Sequence, residues 1–128
     1  MKLLLDTHIL LWAAGQPKRL PAAARRLLND PRHQLHFSAA SIWEVAIKHS
    51  LGRDDFRADP GLLRRGLLEN GYAEVPINSE HAVAVGALAP LHRDPFDRIL
   101  IAQALVGGML LVTADTQVAR YPGPIRKV

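Results

Sequence analysis

Four acidic residues could together carry out metal chemistry, because each lies just past an apolar run or near the start of a predicted helix: Asp6, Glu44, Asp97 and Asp115. Carboxylates that lie close together repel one another, and each raises the pKa of its neighbours. A hard divalent cation relieves this repulsion, and Mg²⁺ prefers oxygen ligands while keeping several waters. Such a cation lowers the pKa of a bound water and neutralises charge on a phosphodiester. If these side chains meet, they indicate metal-dependent phosphodiester hydrolysis.

Two of the acids follow apolar runs that are typical of buried strands. Asp6 comes directly after residues 2–5, and Asp115 lies just past residues 109–113. In an open α/β sheet, the carboxyl ends of parallel strands and the N-termini of the following helices share one edge, where ligands bind. We therefore expect Asp6 and Asp115 to lie near each other despite their separation in the chain.

The other two acids fall in the first turns of predicted helices. Glu44 follows a helix start near Ser41, and Asp97 follows one near Asp94. Each also has a purely structural interpretation, since Ser41 and Glu44 have the spacing of a capping box. Acids in a first turn also suit the helix dipole. Capping does not explain why acids follow both apolar strands, and this joint placement favours the metal site.

Strand-like and helical runs alternate along the chain, which predicts one layered α/β domain over residues 1–128 around a parallel sheet. The predicted strands cover residues 2–5, 34–37, 72–77, 109–113 and a short edge strand at 125–128. The predicted helices cover residues 7–14, 22–29, 41–50, 60–70, 79–88 and 95–106.

The composition limits the classes of protein and of site. Hydrophobic residues make up 48% of the 128 residues, enough for one core, and there is no cysteine. Any metal must therefore bind oxygen or imidazole, and the composition fits a cytoplasmic protein. Asp6 and His8 interrupt the apolar N-terminus, so we expect neither a secretion signal nor a membrane span.

Basic residues outnumber acidic ones by 16 to 12, which favours a polyanionic partner. A merely soluble basic protein is the alternative. Aromatic residues give a weaker signal, and we expect Trp12, Trp43 and Phe96 to pack in the core rather than to stack on bases. The leucines between residues 62 and 68 predict one apolar helix face, which either packs in the core or forms a partner groove.

Four stretches of the sequence resemble the PIN-domain family, specifically the VapC-type toxins of bacterial toxin–antitoxin pairs. They are LLLDTHILLW, SAASIWEVAIK, HRDPFDRILIAQAL and LLVTAD, in the family's order and spacing over nearly the whole chain. The resemblance implies a three-layer α/β/α sandwich with a central, mostly parallel sheet of four to five strands. It also implies endoribonuclease activity with Mg²⁺ or Mn²⁺, and a homodimer held inactive by a cognate antitoxin.

The same resemblance implies the roles of individual residues. The metal-site acids are Asp6, Glu44, Asp97 and Asp115. Asp94 is an additional acid that we expect to cap a helix or to support the site, and Thr7 and Thr113 are expected to support it as well. His8 stands where many relatives have a small polar residue, and its role is left open.

Our mechanistic hypothesis is that Asp6 and Asp97 bind the principal metal, while Glu44 and Asp115 bind through water or complete a second site. A metal-activated water would attack the phosphorus in line and leave a 5′-phosphate and a 3′-hydroxyl.

Two arginines that flank the acidic segment, Arg93 and Arg98, are candidates for holding the RNA backbone. For any single surface arginine, solvation or a weak ion pair is the alternative.

Two other classes of function are alternatives. A doubly wound phosphoacceptor signalling domain also binds Mg²⁺ at strand ends, but such domains pair two acids after the first strand and supply a late lysine. Here Asp6 stands alone and LLVTAD contains no lysine. A catalytically silent PIN-like binding module is the other alternative, which the presence of all four acids disfavours.

Overall fold

The computed structural model describes residues 1–128, with helices inserted between the strands of one sheet. The strands are β1 (Lys2–Leu5), β2 (Gln34–Ser38), β3 (Ala73–Val75), β4 (Leu110–Thr113) and β5 (Ile125–Lys127). The helices are α1 (Thr7–Gly15), α2 (Ala22–Asn29), α3 (Ala39–Ser50), α4 (Pro60–Glu69), α5 (Ser79–Val85) and α6 (Pro95–Gly107). None of these helices is both long and apolar enough to cross a membrane.

The five strands form one sheet in the order β3-β2-β1-β4-β5, and every neighbouring pair is parallel. The central strand β1 places Leu3 opposite Leu35 of β2 and Leu110 of β4. The chain first extends the sheet from β1 to β3, and then returns to add β4 and β5 on the other side. The strand order therefore reverses beside β1, which is where ligands bind in open α/β sheets.

Both faces of the sheet are covered. Successive side chains of a strand point to opposite faces, and those of β1 divide between two apolar clusters. Leu3 and Leu5 pack in a cluster with Phe37, whereas Leu4 packs with Leu100 of α6. Burying each of these leucines contributes roughly 2 kcal/mol. The sheet thus forms the middle layer of the predicted α/β/α sandwich.

Helix α3 begins two residues earlier than predicted. The Ser38 hydroxyl accepts a hydrogen bond from the Ala40 amide at 3.0 Å, so that Ser38 rather than Ser41 is the N-cap. The proposed capping box of Ser41 and Glu44 is therefore wrong, and Glu44 lies in the second turn. Helix capping therefore does not explain why an acid is buried at position 44.

Strand β3 is shorter than the predicted run of residues 72–77. Pro76 follows Val75, and a proline has no amide to donate to the neighbouring strand, so the pairing ends there.

One prediction about apolar side chains was wrong, and a second holds only in part. Trp43 is 60% exposed, because the inner face of α3 is occupied by Ser41, Glu44 and Val45. In α4, Leu63 and Leu67 are buried, but the neighbouring leucines at 62 and 68 are 63% and 40% exposed. Leu63 and Leu67 are four residues apart and therefore share the inner face of the helix, whereas the leucines at 62 and 68 point away from it.

Candidate active site

Asp6 ends strand β1 and points its carboxylate into the protein at the carboxyl edge of the sheet. Its Oδ1 accepts a hydrogen bond from the Thr7 amide at 2.6 Å, and its Oδ2 accepts one from the Thr113 hydroxyl at 2.6 Å. Burial raises the pKa of Asp6, and these two hydrogen bonds oppose the rise without cancelling it. Asp6 is therefore a buried carboxyl held in one orientation by groups on both neighbouring segments.

Glu44 enters the same site from α3 and is buried. Its Oε2 accepts a hydrogen bond from Nζ of Lys48 at 2.5 Å, one helical turn later. Its Oε1 is buried and has no hydrogen-bond partner. An unsatisfied oxygen of a buried carboxylate is costly, so this atom is suited to accept a bond from water or a cation. Lys48 was not among the predicted site residues, although a glutamate and a lysine four residues apart in a helix signal an ion pair.

Asp97 completes the group of acids from the first turn of α6, where its side chain is only 12% exposed. Burial raises its pKa to about 7, and the negative charges of Asp6, Asp94 and Glu44 contribute to the rise. His92 opposes it, because Nε2 of its ring lies 2.7 Å from Oδ2 of Asp97. Asp6 and Glu44 thus lie near enough to Asp97 for their charges to raise its pKa, although the ligand atoms grouped within 4.8 Å of one another around Asp97 are those of His92 and Asp94.

The loop before α6 supplies two further groups. Asp94 caps the helix, since its Oδ1 accepts hydrogen bonds from the amides of Phe96 and Asp97 at 2.8 and 3.3 Å. Ligand atoms of His92, Asp94 and Asp97 lie within 4.8 Å of one another. His92 was not predicted as a site residue, although it stands five residues before Asp97 in the stretch HRDPFD.

Asp115 lies at the rim of the site and is exposed. Its Oδ1 accepts hydrogen bonds from the amides of Gln117 and Val118, which begin a short 3₁₀ turn. Its own amide donates to the Thr113 hydroxyl at 3.0 Å, the same hydroxyl that donates to Asp6. Asp6 and Asp115 line one cleft, so the structure brings this acid to the mouth of the pocket rather than into its interior.

Hydroxyl groups join the elements that carry the acids. The Thr7 hydroxyl donates to Oγ of Ser41 at 2.9 Å, and both residues are buried. This bond fixes the start of α1 against α3, and thereby the position of Asp6 relative to Glu44. Ser41 was expected to be a helix cap, but its role in the structure is to hold two helices together.

The two flanking arginines differ in their environments. Nη1 of Arg98 donates to the Ala89 carbonyl and the Tyr121 hydroxyl, and Nη2 donates to the Val85 carbonyl. This guanidinium ties the chain after α5 to α6, which gives Arg98 a structural role beside its predicted contact with RNA. Arg93 is exposed beside the site and stays a candidate.

His8 lies in the same cleft as Asp6. Its Nε2 is 3.5 Å from Oδ2 of Asp55, and its ring packs edge-on against Phe56 with the centroids 5.3 Å apart. His8 thus connects the start of α1 to the loop between α3 and α4, and its side chain is 42% exposed to the cleft.

The donor set fits a hard divalent cation. Three carboxylates are buried or nearly so, two of them have pKa values raised in part by a neighbouring carboxylate, and one carboxylate oxygen is unpartnered. Carboxylate oxygens are the ligands that Mg²⁺ and Mn²⁺ prefer, and no thiolate is available that would favour a softer metal.

Comparisons with known proteins show the family of this chain. Residues 3–124 match the family model described as PIN domain. The chain is 32% identical over 125 residues to Ribonuclease VapC22 of Mycobacterium tuberculosis (strain ATCC 25618 / H37Rv), covering 95% of both chains.

Solved structures share the fold. VapBC2 from Rickettsia felis, bound to a DNA fragment from its promoter, is 15% identical with a TM-score of 0.73, covering 100% of this chain and 99% of that one. VapBC-1 from nontypeable Haemophilus influenzae is 20% identical with a TM-score of 0.65, covering 94% of this chain and 91% of that one. On the evidence of the family-model match over residues 3–124 and of its identity to a family relative over 95% of both chains, this chain belongs to the PIN-domain family.

Proposed function

We propose that this protein is a metal-dependent endoribonuclease and the toxin of a toxin–antitoxin pair. The observation that carries the proposal is the burial of three carboxyls, Asp6, Glu44 and Asp97, near enough to one another for the charges of Asp6 and Glu44 to raise the pKa of Asp97. A family relative that is named a ribonuclease, similar over 95% of its length, supports the same activity.

We assign the metal to Asp6 and Asp97, with Glu44 and Asp115 acting through water. Mg²⁺ or Mn²⁺ bound there would supply an activated water and charge neutralisation at the phosphodiester, leaving a 5′-phosphate and a 3′-hydroxyl.

The chain's own residues prepare the site for this chemistry. Thr7 and Thr113 fix both oxygens of Asp6, so its carboxylate does not rotate away from the pocket. The His92 ring holds Oδ2 of Asp97. Partners of this kind orient metal ligands, and their loss typically costs about 10–100-fold in metal affinity or activity. Asp115 stands at the open side of the pocket, next to the path by which RNA would enter.

The substrate backbone would follow the cleft that leads away from the pocket. This cleft has a volume of about 600 Å³, and its lining includes Asp6 and Asp115 together with Arg19 and with Arg57, which is paired with Asp54 at the surface. Arginine suits phosphate oxygens because its planar guanidinium can donate two parallel hydrogen bonds. The formal net charge of +4 adds a long-range attraction for RNA. Arg93, which is exposed and follows His92 in the chain, would be a further contact for phosphates.

An antitoxin segment would bind in the apolar groove between α1 and α4. The groove is lined mainly by apolar side chains, among them Leu11, Leu62 and Leu63, and Leu62 is largely exposed there. Structures with the same fold are VapBC toxin–antitoxin complexes, which makes an antitoxin the expected occupant. An amphipathic helix would place its apolar residues in such a groove.

A second copy of this chain would cover the exposed stripe on α3. Trp43, Ile47 and Leu51 lie four residues apart and are 60%, 37% and 71% exposed. Residues at this spacing share one helix face, and an exposed apolar face of this kind is typical of a protein interface. We therefore expect a homodimer, which light scattering after size-exclusion chromatography would detect.

The direct test is to sequence RNA ends after brief expression of the intact protein and of D6N. Asparagine keeps the size of the aspartate and can still accept the Thr113 bond, but it removes the negative charge. We expect discrete new ends with the intact protein and none with D6N, and EDTA should abolish the same cleavage in vitro. Equal cleavage by a pure, folded D6N protein would contradict the proposal.

A further inference from the structure

Lys48 places a positive charge of the protein itself inside the acidic pocket. Its Nζ lies 2.5 Å from Oε2 of Glu44, and its side chain is only 19% exposed. The ammonium also lies 4.8 Å from the centroid of the Phe56 ring and 5.8 Å from that of the Phe96 ring. An ammonium close to aromatic faces and a buried carboxylate is held by both cation–π attraction and charge.

This contact engages one oxygen of Glu44 and leaves the other free. Oε2 bonds to Lys48, whereas Oε1 is buried without a partner. A cation that used both oxygens of Glu44 as ligands would have to displace Lys48 from its contacts with Glu44 and Phe56. Oε1 is left without a partner, and the positive charge already held at Oε2 favours a water there over a directly bound cation.

The charges of the pocket balance with a single divalent ion. With a cation bound, Asp6, Glu44 and Asp97 would carry three negative charges, and Lys48 supplies one positive charge beside Glu44. The remaining two negative charges, on Asp6 and Asp97, match one divalent cation. Asp94 is not included in this count, because its carboxylate accepts hydrogen bonds from the amides at the start of α6.

We propose that Lys48 is a built-in counter-ion that reserves Glu44 for an outer, water-mediated position and limits the pocket to one divalent ion held by Asp6 and Asp97. Lys48 is thus a positioning residue that acts through Glu44. This inference rests on the proposed metal-dependent function and specifies how the pocket of that function is charged.

The test is calorimetric titration of the full-length, metal-free protein with Mn²⁺ alone, which does not depend on catalysis. We expect one Mn²⁺ for the unaltered protein. K48M should bind its first Mn²⁺ roughly tenfold more tightly or gain a second ion, because a neighbouring positive charge no longer repels the cation. K48R, which keeps the charge, should behave like the unaltered protein.

R53M is the matched control. Arg53 lies over the same Phe56 ring, with its guanidinium carbon 5.5 Å from the ring centroid, but it is paired with Asp55 rather than with Glu44. Removing this charge should change Mn²⁺ affinity by less than about twofold, since the exposed charge is screened by solvent.

The double variant E44Q/K48M distinguishes this proposal from direct binding of the metal by Glu44. It also serves if K48M alone fails to fold, because it leaves no buried charge unpaired. We expect E44Q to weaken Mn²⁺ binding roughly tenfold, because Lys48 then repels the ion without compensation. The double variant should return to within about threefold of the unaltered protein.

Three results would overturn the proposal. If folded K48M binds Mn²⁺ with unchanged affinity and stoichiometry, Lys48 does not influence the metal site. If the double variant no longer binds Mn²⁺, Glu44 is a direct ligand of the metal. Both of these leave the proposed function intact. Failure of the unaltered protein to bind any Mn²⁺ would contradict the proposed function and this inference together.

Discussion

The Thr113 hydroxyl donates a 2.6 Å hydrogen bond to Oδ2 of Asp6, joining the ends of two neighbouring strands across 107 positions of sequence. The same hydroxyl accepts a hydrogen bond from the amide of Asp115 at 3.0 Å. One side chain thus sets both the orientation of the innermost acid and the position of the acid at the rim. This arrangement depends on the parallel pairing of β1 with β4, which places Leu5 opposite Val112.

Replacing Thr113 with valine tests this relationship. Valine has nearly the same shape but cannot donate to Asp6, so the Asp6 pKa should rise further and its carboxylate should lose its fixed orientation. We expect Mn²⁺ affinity to fall about 10-fold or more, the typical effect of losing a partner of a metal ligand. T113S retains the hydroxyl and should bind Mn²⁺ nearly as well as the unaltered protein. Equal affinities for T113V and T113S would contradict the assigned role.

The stability of the metal-free protein should depend on pH through Asp97. Its pKa in the folded protein is about 7, above the ordinary value of 3.8, so the folded state holds the proton more tightly than the unfolded state does. The free energy of unfolding should therefore fall as pH rises from about 4 to about 7 and then level off. Asp6, whose pKa is also raised, contributes in the same direction.

Thermal unfolding in EDTA at about pH 5 and pH 8 measures this dependence. Because the asparagine side chain does not titrate, D97N should be more stable than the unaltered protein at the higher pH by roughly 1–3 kcal/mol. Mg²⁺ should restore stability to the unaltered protein at the higher pH and have little effect on D97N. Identical pH dependence of the two proteins would show that Asp97 ionises normally.

Arg98 and Arg93 should respond differently to the same substitution. R98A removes the guanidinium that bonds to the carbonyls of Val85 and Ala89 and to the Tyr121 hydroxyl. We expect a loss of about 2–4 kcal/mol in the free energy of unfolding, since several acceptors lose a charged donor together. Urea unfolding measures this loss, and a loss below about 0.5 kcal/mol, as at an ordinary surface position, would contradict the internal role.

R93A should leave stability unchanged but weaken RNA binding. Arg93 is exposed beside the pocket, so its removal should reduce affinity for different RNA sequences about equally. The slope of log affinity against log salt should decrease by about one or less, which fluorescence anisotropy at several salt concentrations measures. An unchanged salt slope would remove Arg93 from the binding surface.

The sequence predicts those features of the fold and of the site that follow from local patterns of residues. An apolar run followed by an acid predicts both a buried strand and the edge at which the acid lies, which is why the strands carrying Asp6 and Asp115 could be placed. The same reasoning cannot find Lys48 and His92 as site residues, because their contacts depend on how α3 and the loop before α6 pack. Tyr121 bonds to the amide of His92 from 29 positions away, which no spacing rule anticipates.

Local patterns were also insufficient where two residues offered the same chemistry. Ser38 and Ser41 are both suited to cap a helix, and only the end of strand β2 decides in favour of Ser38. The exposure of Trp43 could not be predicted for a related reason. Apolar character predicts burial, but the neighbouring buried position is taken by Glu44, whose inward orientation is explained by the site rather than by helix periodicity.

The proposed activity depends on one cation shared by carboxylates that are far apart in the sequence. The most direct measurement is an anomalous difference map from a crystal of the protein soaked in Mn²⁺. We predict one strong peak at about 2.0–2.4 Å from a carboxylate oxygen of both Asp6 and Asp97, with Lys48 still bound to Glu44. A map without a peak between Asp6 and Asp97 would contradict the shared site.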